Sequence, residues 1–299
     1  MKKLIVSLIV LSGILGMLSA AEPNTSTGSL PVKFELLTAV EFISALEKSA
    51  ETCIIPFGVL EKHGPHLPLG TDLIDVREVA LRAANAEYTI VFPEYYFGQI
   101  AEGKHQPGTI SYSHKIIWDL LQETCDELAR NGIKKIIIVN GHGGNNHFVR
   151  FFCQAQLEKR SDYAVYLFDP KDDPELQKKI KELRKSTASG HACELETSVL
   201  MAHRPDLVHL DKAREQSGED QKRLKDLNDA YVGIWWYSSF PNHYAGDGSV
   251  ATKELGELYI NGKVDQLTKF IQTVKKDEKV RELQNQFFNE AEKPLETKQ

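Results

Sequence analysis

Cysteine is scarce in this 299-residue chain, and positive charge is not in excess. The four cysteines (Cys53, Cys125, Cys153 and Cys193) are too few and too scattered for a disulfide framework, and the sequence does not pair them. The net charge is −6 and the charges are interleaved, so there is no basic stripe for nucleic acid. Repeats and low-complexity blocks are also absent. These features exclude a disulfide-stapled miniprotein, a nucleic-acid-binding protein and a repeat protein.

A long apolar run, "LIVSLIVLSGILGML", occurs once, between "MKK" and "SAAEP" at the N-terminus. A positive start, an apolar core and small residues are typical of a secretory signal peptide, so we predict that 1–21 directs export to the periplasm or medium. The run is near the lower length limit for spanning a bilayer, which leaves a membrane anchor as the alternative. We expect a flexible leader at 22–36 and a single domain at 37–299, with no stable membrane insertion after cleavage.

Beyond the leader, apolar runs of strand length alternate with amphipathic stretches of helix length. The predicted strands are "CIIPFGVL", "TIVFP", "KKIIIVNG" and "YAVYLFD", and stretches such as "LIDVREVALRAANA" and "KIIWDLLQETCDELARNG" lie between them. This alternation predicts an α/β fold in three layers, with a mainly parallel central sheet covered on both faces. Ligands of such folds bind at the carboxyl ends of the strands.

The stretch "VLEKHGPHLPLGTD" crowds polar residues at the end of the first predicted strand. If the chain stays extended, Glu61 and His63 project to the same side. Prolines and glycines keep the following segment, including His66, out of a helix, and this loop can bring Asp72 back to the same place. Asp72 also suits the role of a helix N-cap.

Two further motifs contain candidate ligands. In "NGHGGNNH", His142 follows a predicted strand among glycines, and a tight strand-to-helix turn is the alternative interpretation. In "SGHACELETS", His191 precedes a predicted helix that contains Glu194 and Glu196. These two glutamates lie about 200° apart around a helix, so one site cannot easily use both. Glu196 shares its face with apolar residues and is expected to point inward, whereas Glu194 also suits a helix N-terminus.

Together these motifs bring carboxylates and histidines to one sheet edge. Such a donor set suits two divalent ions per subunit, Zn, Mn or Fe. Two ions can lower the pKa of a shared water and polarise a carbonyl group, which predicts a hydrolase.

The stretches "GVLEKHGPHLPLGTD", "NGHGGN" and "HACELETSVLMAHRPDLV" resemble the creatininase (creatinine amidohydrolase) family, in the same order, over about residues 40 to 265. The resemblance implies that Glu61, Asp72 and His142 hold one metal ion, that His63 and Asp72 hold the second, and that Asp72 bridges them. It also implies that His191 carries a proton to the leaving nitrogen after attack by metal-bound hydroxide. Family members have an α/β sandwich fold and commonly form hexamers.

The departures from the family pattern concern ligands and substrate. Creatininase has a glutamate ligand where this chain has Gly144, and we expect Glu196, or as second choice Glu194, to replace it. Thr187 and Gly143 stand where creatininase has a tryptophan and a tyrosine, so creatinine is not the expected substrate. The "HGGN" form looks more like the broader amidohydrolase branch of the family, which includes a formamide deformylase and a peptide-processing enzyme.

We therefore expect hydrolysis of a C–N bond in a small cyclic amide, formamide or related molecule. Lys104, His105 and Gly143 are candidate substrate-binding residues, and Glu196 is a candidate catalytic residue beside His191. The segment containing His243 and Asp247 is a candidate second lip of the pocket. The alternatives are a metal-dependent lactonase and a secreted protein that binds a metal or ligand without turnover.

Overall fold

The computed structural model describes residues 30–227 and 229–297, so the predicted signal peptide lies outside the described residues. Within this part of the chain, no helix has the length and apolar character needed to cross a membrane.

A four-stranded parallel sheet forms the centre of the fold, in the order β2-β1-β3-β4. The strands are β1 (Thr52–Phe57), β2 (Ile90–Val91), β3 (Lys135–Asn140) and β4 (Ala164–Leu167). Every described strand pair is parallel, and β1 and β3 pair over their full length, from Thr52 opposite Lys135 to Phe57 opposite Asn140. The two strands that carry the site motifs are therefore neighbours at the middle of the sheet.

The helices connect and follow these strands. They are α1 (Ala39–Lys48), α2 (Thr71–Ala86), α3 (His114–Arg130), α4 (Asn146–Ala155), α5 (Pro174–Leu183), α6 (Glu194–His203), α7 (Trp235–Ser239), α8 (Lys253–Lys276) and α9 (Lys279–Ala291). Several begin at a hydroxyl cap that the sequence provides, since Thr38, Ser113 and Thr252 each accept a hydrogen bond from a backbone N–H of the first turn.

Side chains of β1 alternate between two apolar layers, as the two-residue period of a strand requires. Cys53, Ile55 and Phe57 pack with α1, α3 and α4 on one face of the sheet. Ile54 packs with α2 and α8 on the other face. Because both faces are covered, β1 is buried along its length and β3 is buried up to Val139. The predicted three-layer α/β fold is confirmed.

The expected flexible leader needs a correction at its C-terminal end. Val32 is buried, and Lys33 forms a parallel bridge with Val91 of β2. Residues 30–36 therefore pack along the edge of the sheet, because β2 is short and leaves backbone groups there to pair with. Residues 30–36 are therefore packed and not a flexible leader, while the rest of the predicted leader, 22–29, lies outside the described residues.

Candidate metal centre

Four predicted ligands meet at the carboxyl edge of the two central strands. Glu61 and His63 follow β1, His142 follows β3, and Asp72 lies in the first turn of α2. All four side chains are buried. The structure thus brings together residues from two of the sequence motifs, 59–72 and 140–147.

Asp72 does not cap α2, so that interpretation of the sequence is wrong. The helix begins at Thr71, and the residue at the N-cap position is Gly70, which offers no side chain. Asp72 is the second residue of the helix, and its carboxylate faces the site. Its Oδ1 lies 2.9 Å from Nε2 of His63, and its Oδ2 lies 3.0 Å from Nδ1 of His142.

Two carboxylate oxygens, one from Glu61 and one from Asp72, lie close to the ring of His142. Nδ1 of His142 lies 2.7 Å from Oε1 of Glu61 and 3.0 Å from Oδ2 of Asp72. Both oxygens are buried, and apart from their close approach to this nitrogen neither has a hydrogen-bond partner among the described residues. Buried anionic oxygens without partners cost free energy, and a cation among them removes that cost. Two carboxylate oxygens and one imidazole nitrogen therefore fit a divalent ion.

The carboxylates of Glu61 and Asp72 favour a positive charge on the imidazoles of His142 and His63. Burial alone would lower the pKa of His142, but Glu61 and Asp72 raise it well above its ordinary value. Burial likewise works against protonation of His63, yet Asp72 and Glu61 raise its pKa to about 10. The carboxylates thus attract a positive charge at each imidazole, and a metal ion can supply that charge in place of a proton.

The Gly-rich turn after β3 has a steric role. The side chain of Asn140 bonds both the N–H and the C=O of His142 and so fixes the turn. A Cβ at position 144 would overlap Oε1 of Glu102 and Nε2 of His142. Oε1 of Glu102 lies 3.9 Å from Nε2 of His142. Glu102 therefore occupies the space beside Gly144, the position at which creatininase has a glutamate ligand. Glu102 could not be assigned to the site from the sequence, because nothing in its loop indicates that it lies close to His142.

His191 is buried beside the ligands, with its ring centroid 4.2 Å from that of His63. Its Nε2 lies 2.7 Å from the carbonyl oxygen of Lys62. A carbonyl oxygen only accepts, so Nε2 carries the hydrogen and Nδ1 is left as an acceptor. Burial lowers the pKa of His191 to about 3, which keeps the imidazole neutral at pH 7.

The two glutamates of α6 differ in environment. Glu196 lies on the cavity wall, with Oε2 3.9 Å from Nδ1 of His191, and burial raises its pKa to about 7. Glu194 is fully buried elsewhere, and its carboxylate accepts hydrogen bonds from the backbone N–H groups of Lys185 and Ser186. Its oxygens hold the 185–186 segment, so the structure does not bring Glu194 to the ligand cluster. Glu194, the second choice for the further ligand, therefore has a structural role.

A cavity of about 1000 Å³ opens onto the cluster. The three predicted substrate-binding residues, Lys104, His105 and Gly143, all line it. A Cβ at Gly143 would meet nothing within 4 Å, so this position leaves open space in the cavity. Aromatic residues of the 231–237 segment form part of the wall. The cavity therefore has polar groups at its base and an aromatic rim.

Of the two residues predicted for a second lip of the pocket, His243 lines the cavity and Asp247 does not. His243 is buried in the cavity wall and bonds Oε2 of Glu61 through Nε2. Asp247 instead caps the short helix Gly248–Val250 by accepting a bond from the N–H of Ser249. His66 is also outside the ligand set, since its Nε2 pairs with Oγ1 of Thr197 at 2.8 Å.

Comparisons with known proteins agree with this architecture. The profile of the creatininase family (creatinine amidohydrolase) matches residues 35–271. The chain is 28% identical to creatinine amidohydrolase of Pseudomonas putida over 193 residues, covering 59% of this chain and 73% of that protein. It is 24% identical to 3-dehydro-scyllo-inosose hydrolase of Thermotoga maritima over 262 residues, covering 81% and 83%.

Among solved structures, a Zn-Zn form of a mutant creatininase is similar with a TM-score of 0.71 and 22% identity, over 83% of this chain and 100% of that chain. The fold and the sequence matches together indicate a hydrolase with a three-layer α/β fold. The chain belongs to the creatininase family.

Proposed function

We propose that this protein is a metal-dependent amidohydrolase that cleaves a C–N bond in a small cyclic amide, a formamide or a related molecule. The observation that carries the proposal is the convergence of unpartnered Oε1 of Glu61 and Oδ2 of Asp72 on Nδ1 of His142, at the base of an open cavity. Family membership and the similarity to creatinine amidohydrolase support the reaction class.

Two divalent ions, Zn, Mn or Fe, fit the donor atoms. Glu61, Asp72 and His142 would hold one ion. His63 and Asp72, as the family resemblance implies, would hold the second. The ions would polarise the scissile carbonyl and lower the pKa of the attacking water. Glu196 remains our candidate for a further carboxylate contact, because it lies on the cavity wall near His191.

The proton chemistry falls to His191 and Glu196. His191 is neutral, donates its Nε2 hydrogen to the carbonyl of Lys62, and has Nδ1 available on the side of Glu196. Nδ1 can accept a proton from the attacking water and deliver it to the nitrogen of the breaking bond. Glu196, with a pKa of about 7, can accept or release a proton beside it near neutral pH.

The test is a hydrolysis panel of cyclic amides, formamides and lactones, run with Zn²⁺ or Mn²⁺ and after chelation. We expect turnover of an amide that disappears on chelation and in the variant His142→Ala, which should also lose metal by elemental analysis. Turnover of lactones alone would identify the protein as a lactonase. Metal binding without turnover of any substrate would instead identify a binding protein, and either result would overturn the proposal.

We further propose that the mature protein acts outside the cytoplasm as a homo-oligomer, with the hexamer of the family as the expected state. The basis is the N-terminal "MKKLIVSLIVLSGILGML" pattern and the family resemblance. N-terminal sequencing of the exported protein and light scattering of the purified protein test these two points separately. An uncleaved N-terminus or a monomer at micromolar concentration would contradict them.

A further inference from the structure

Glu61 uses its two carboxylate oxygens differently. In the described part of the chain, Oε1 has no hydrogen-bond partner apart from its close approach to Nδ1 of His142, whereas Oε2 accepts a hydrogen bond from Nε2 of His243. Both Glu61 and His243 are almost completely buried. A carboxylate that binds a cation through one oxygen needs its other oxygen held, or the group rotates away from the ion. His243 is placed to do this.

The hydrogen-bond direction can be derived from Trp236. The indole Nε1 of Trp236 lies 2.8 Å from Nδ1 of His243. An indole N–H can only donate, so Nδ1 of His243 accepts and its hydrogen must be on Nε2. Nε2 therefore donates to Oε2 of Glu61. The indole fixes the imidazole tautomer, and the imidazole fixes the carboxylate.

We propose that Trp236 and His243 are a positioning pair that holds Glu61 in the geometry for binding a divalent cation. The inference rests on the metal centre of the proposed function but not on the identity of the substrate. Outer partners of this kind typically change metal affinity by about 10- to 100-fold when removed. Neither residue needs to contact substrate to have this effect.

The backbone before His243 is fixed independently, which gives the pair a rigid base. The carbonyl of Asn242 accepts a bond of 2.7 Å from Nζ of Lys62, the residue between the ligands Glu61 and His63. The carbonyl of Pro241 accepts bonds from the side chains of His105 and Gln106. His243 itself has a φ of 52°, a left-handed conformation that costs free energy and persists where surrounding contacts enforce it.

A purely packing role for Trp236 is the competing explanation. Its ring lies 4.8 Å from the ring of Phe240 and 6.0 Å from that of His191, so the indole also fills space. The substitution Trp236→Phe keeps an aromatic ring and removes the N–H donor together with part of the ring volume, and the unfolding temperature reports the loss of packing. Trp235→Phe is the matched control, because Trp235 is adjacent in α7, is 43% exposed and makes no hydrogen bond to His243.

The measurement is the dissociation constant for Zn²⁺ and for Mn²⁺, by competition with a chromophoric chelator, with unfolding temperatures recorded in parallel. We expect Trp236→Phe to weaken binding about 10-fold and Trp235→Phe to leave it unchanged. Metal-induced change in tryptophan fluorescence should persist in Trp235→Phe and shrink in Trp236→Phe. Equal affinities of the parent and Trp236→Phe, or equal weakening in both variants, would overturn the proposal.

Substitutions of His243 provide the second arm. Asn tolerates a positive φ but is too short to reach Glu61, so His243→Asn should weaken binding at least as much as Trp236→Phe. Gln places an amide N–H near the position of Nε2, so His243→Gln should recover part of the affinity. Unchanged affinity in His243→Asn would refute the pair. If the affinities follow these expectations while no amide is cleaved, only the proposed function fails; a parent protein that binds neither ion refutes both.

Discussion

Nε2 of His63 lies 2.9 Å from Oδ1 of Asp72, on the opposite side of the carboxylate from the oxygen that faces His142. Asp72 therefore presents one oxygen to each half of the cluster. Asp72 holds this place as a buried residue in the first turn of α2.

Replacing His191 with alanine should slow turnover without removing metal. His191 is assigned a proton-transfer role, and loss of a general acid or base typically costs about 10²- to 10⁴-fold in kcat. We expect kcat to fall by that amount while KM and the metal content per subunit change little, as measured by steady-state kinetics and elemental analysis. His209→Ala, at an exposed histidine, is the control. Full kcat in His191→Ala would rule out the assigned role.

Glu194→Ala should destabilise the fold and leave metal binding intact. The buried carboxylate accepts bonds from two backbone N–H groups, and its removal leaves those donors unsatisfied. We expect the free energy of unfolding to fall by about 3 kcal/mol, from urea titration. Glu196→Gln is the matched comparison, expected to lower turnover with little change in stability. Loss of metal in a folded Glu194→Ala protein would show that Glu194 is a ligand after all.

Gly144→Ala should disturb the metal centre, whereas Gly143→Ala should not. A methyl group at 144 overlaps Glu102 and the ring of His142, and at 143 it enters open space. Moving the His142 ring displaces a predicted ligand, so we expect metal affinity to fall about 10-fold or more in Gly144→Ala. Isothermal titration with Zn²⁺ gives both affinities. Similar affinities in the two variants would mean that the turn adapts to the extra atom.

His66 should make the fold sensitive to mild acid. Burial, and to a smaller extent repulsion by His63, lowers the pKa of His66 from 6.5 to about 4. A histidine with a lowered folded pKa stabilises the fold fully above pH 6.5, and this contribution is lost as the pH falls from 6.5 toward 4. The shift corresponds to about 3 kcal/mol. Urea unfolding of the chelated protein between pH 7 and 4 should show a shallower decline in His66→Gln than in the parent; parallel curves would contradict this.

Much of the fold could be predicted, because the strands and helices carry strong local signals. The run "KKIIIVNG" has four consecutive apolar residues and contains β3, which is covered on both faces. Positions at the ends of such strands then identified Glu61, His63 and His142. The first helix, α1, and the last, α9, were not assigned from the sequence, since each is an amphipathic surface helix with a single buried residue.

The residues that could not be assigned depend on contacts between distant loops. Glu102 approaches His142 across 40 positions, and His243 reaches Glu61 across 182. Nothing in the local pattern around Trp236 indicates that its N–H points at an imidazole. The role of Glu194 was equally hidden, because its partners are backbone groups of the preceding loop. Periodicity reports which face of an element is buried but not which atom lies against it.

The bridge between Lys33 and Val91 has a consequence for solubility. Bare edges of a sheet offer free backbone N–H and C=O groups to other chains and are common starting points for aggregation. Residues 30–36 shield that margin of β2, and Val91 donates its N–H to the carbonyl of Val32. A shortened protein that starts at residue 37 would leave this strand edge unpaired, so residues 30–36 are expected to protect the protein against self-association.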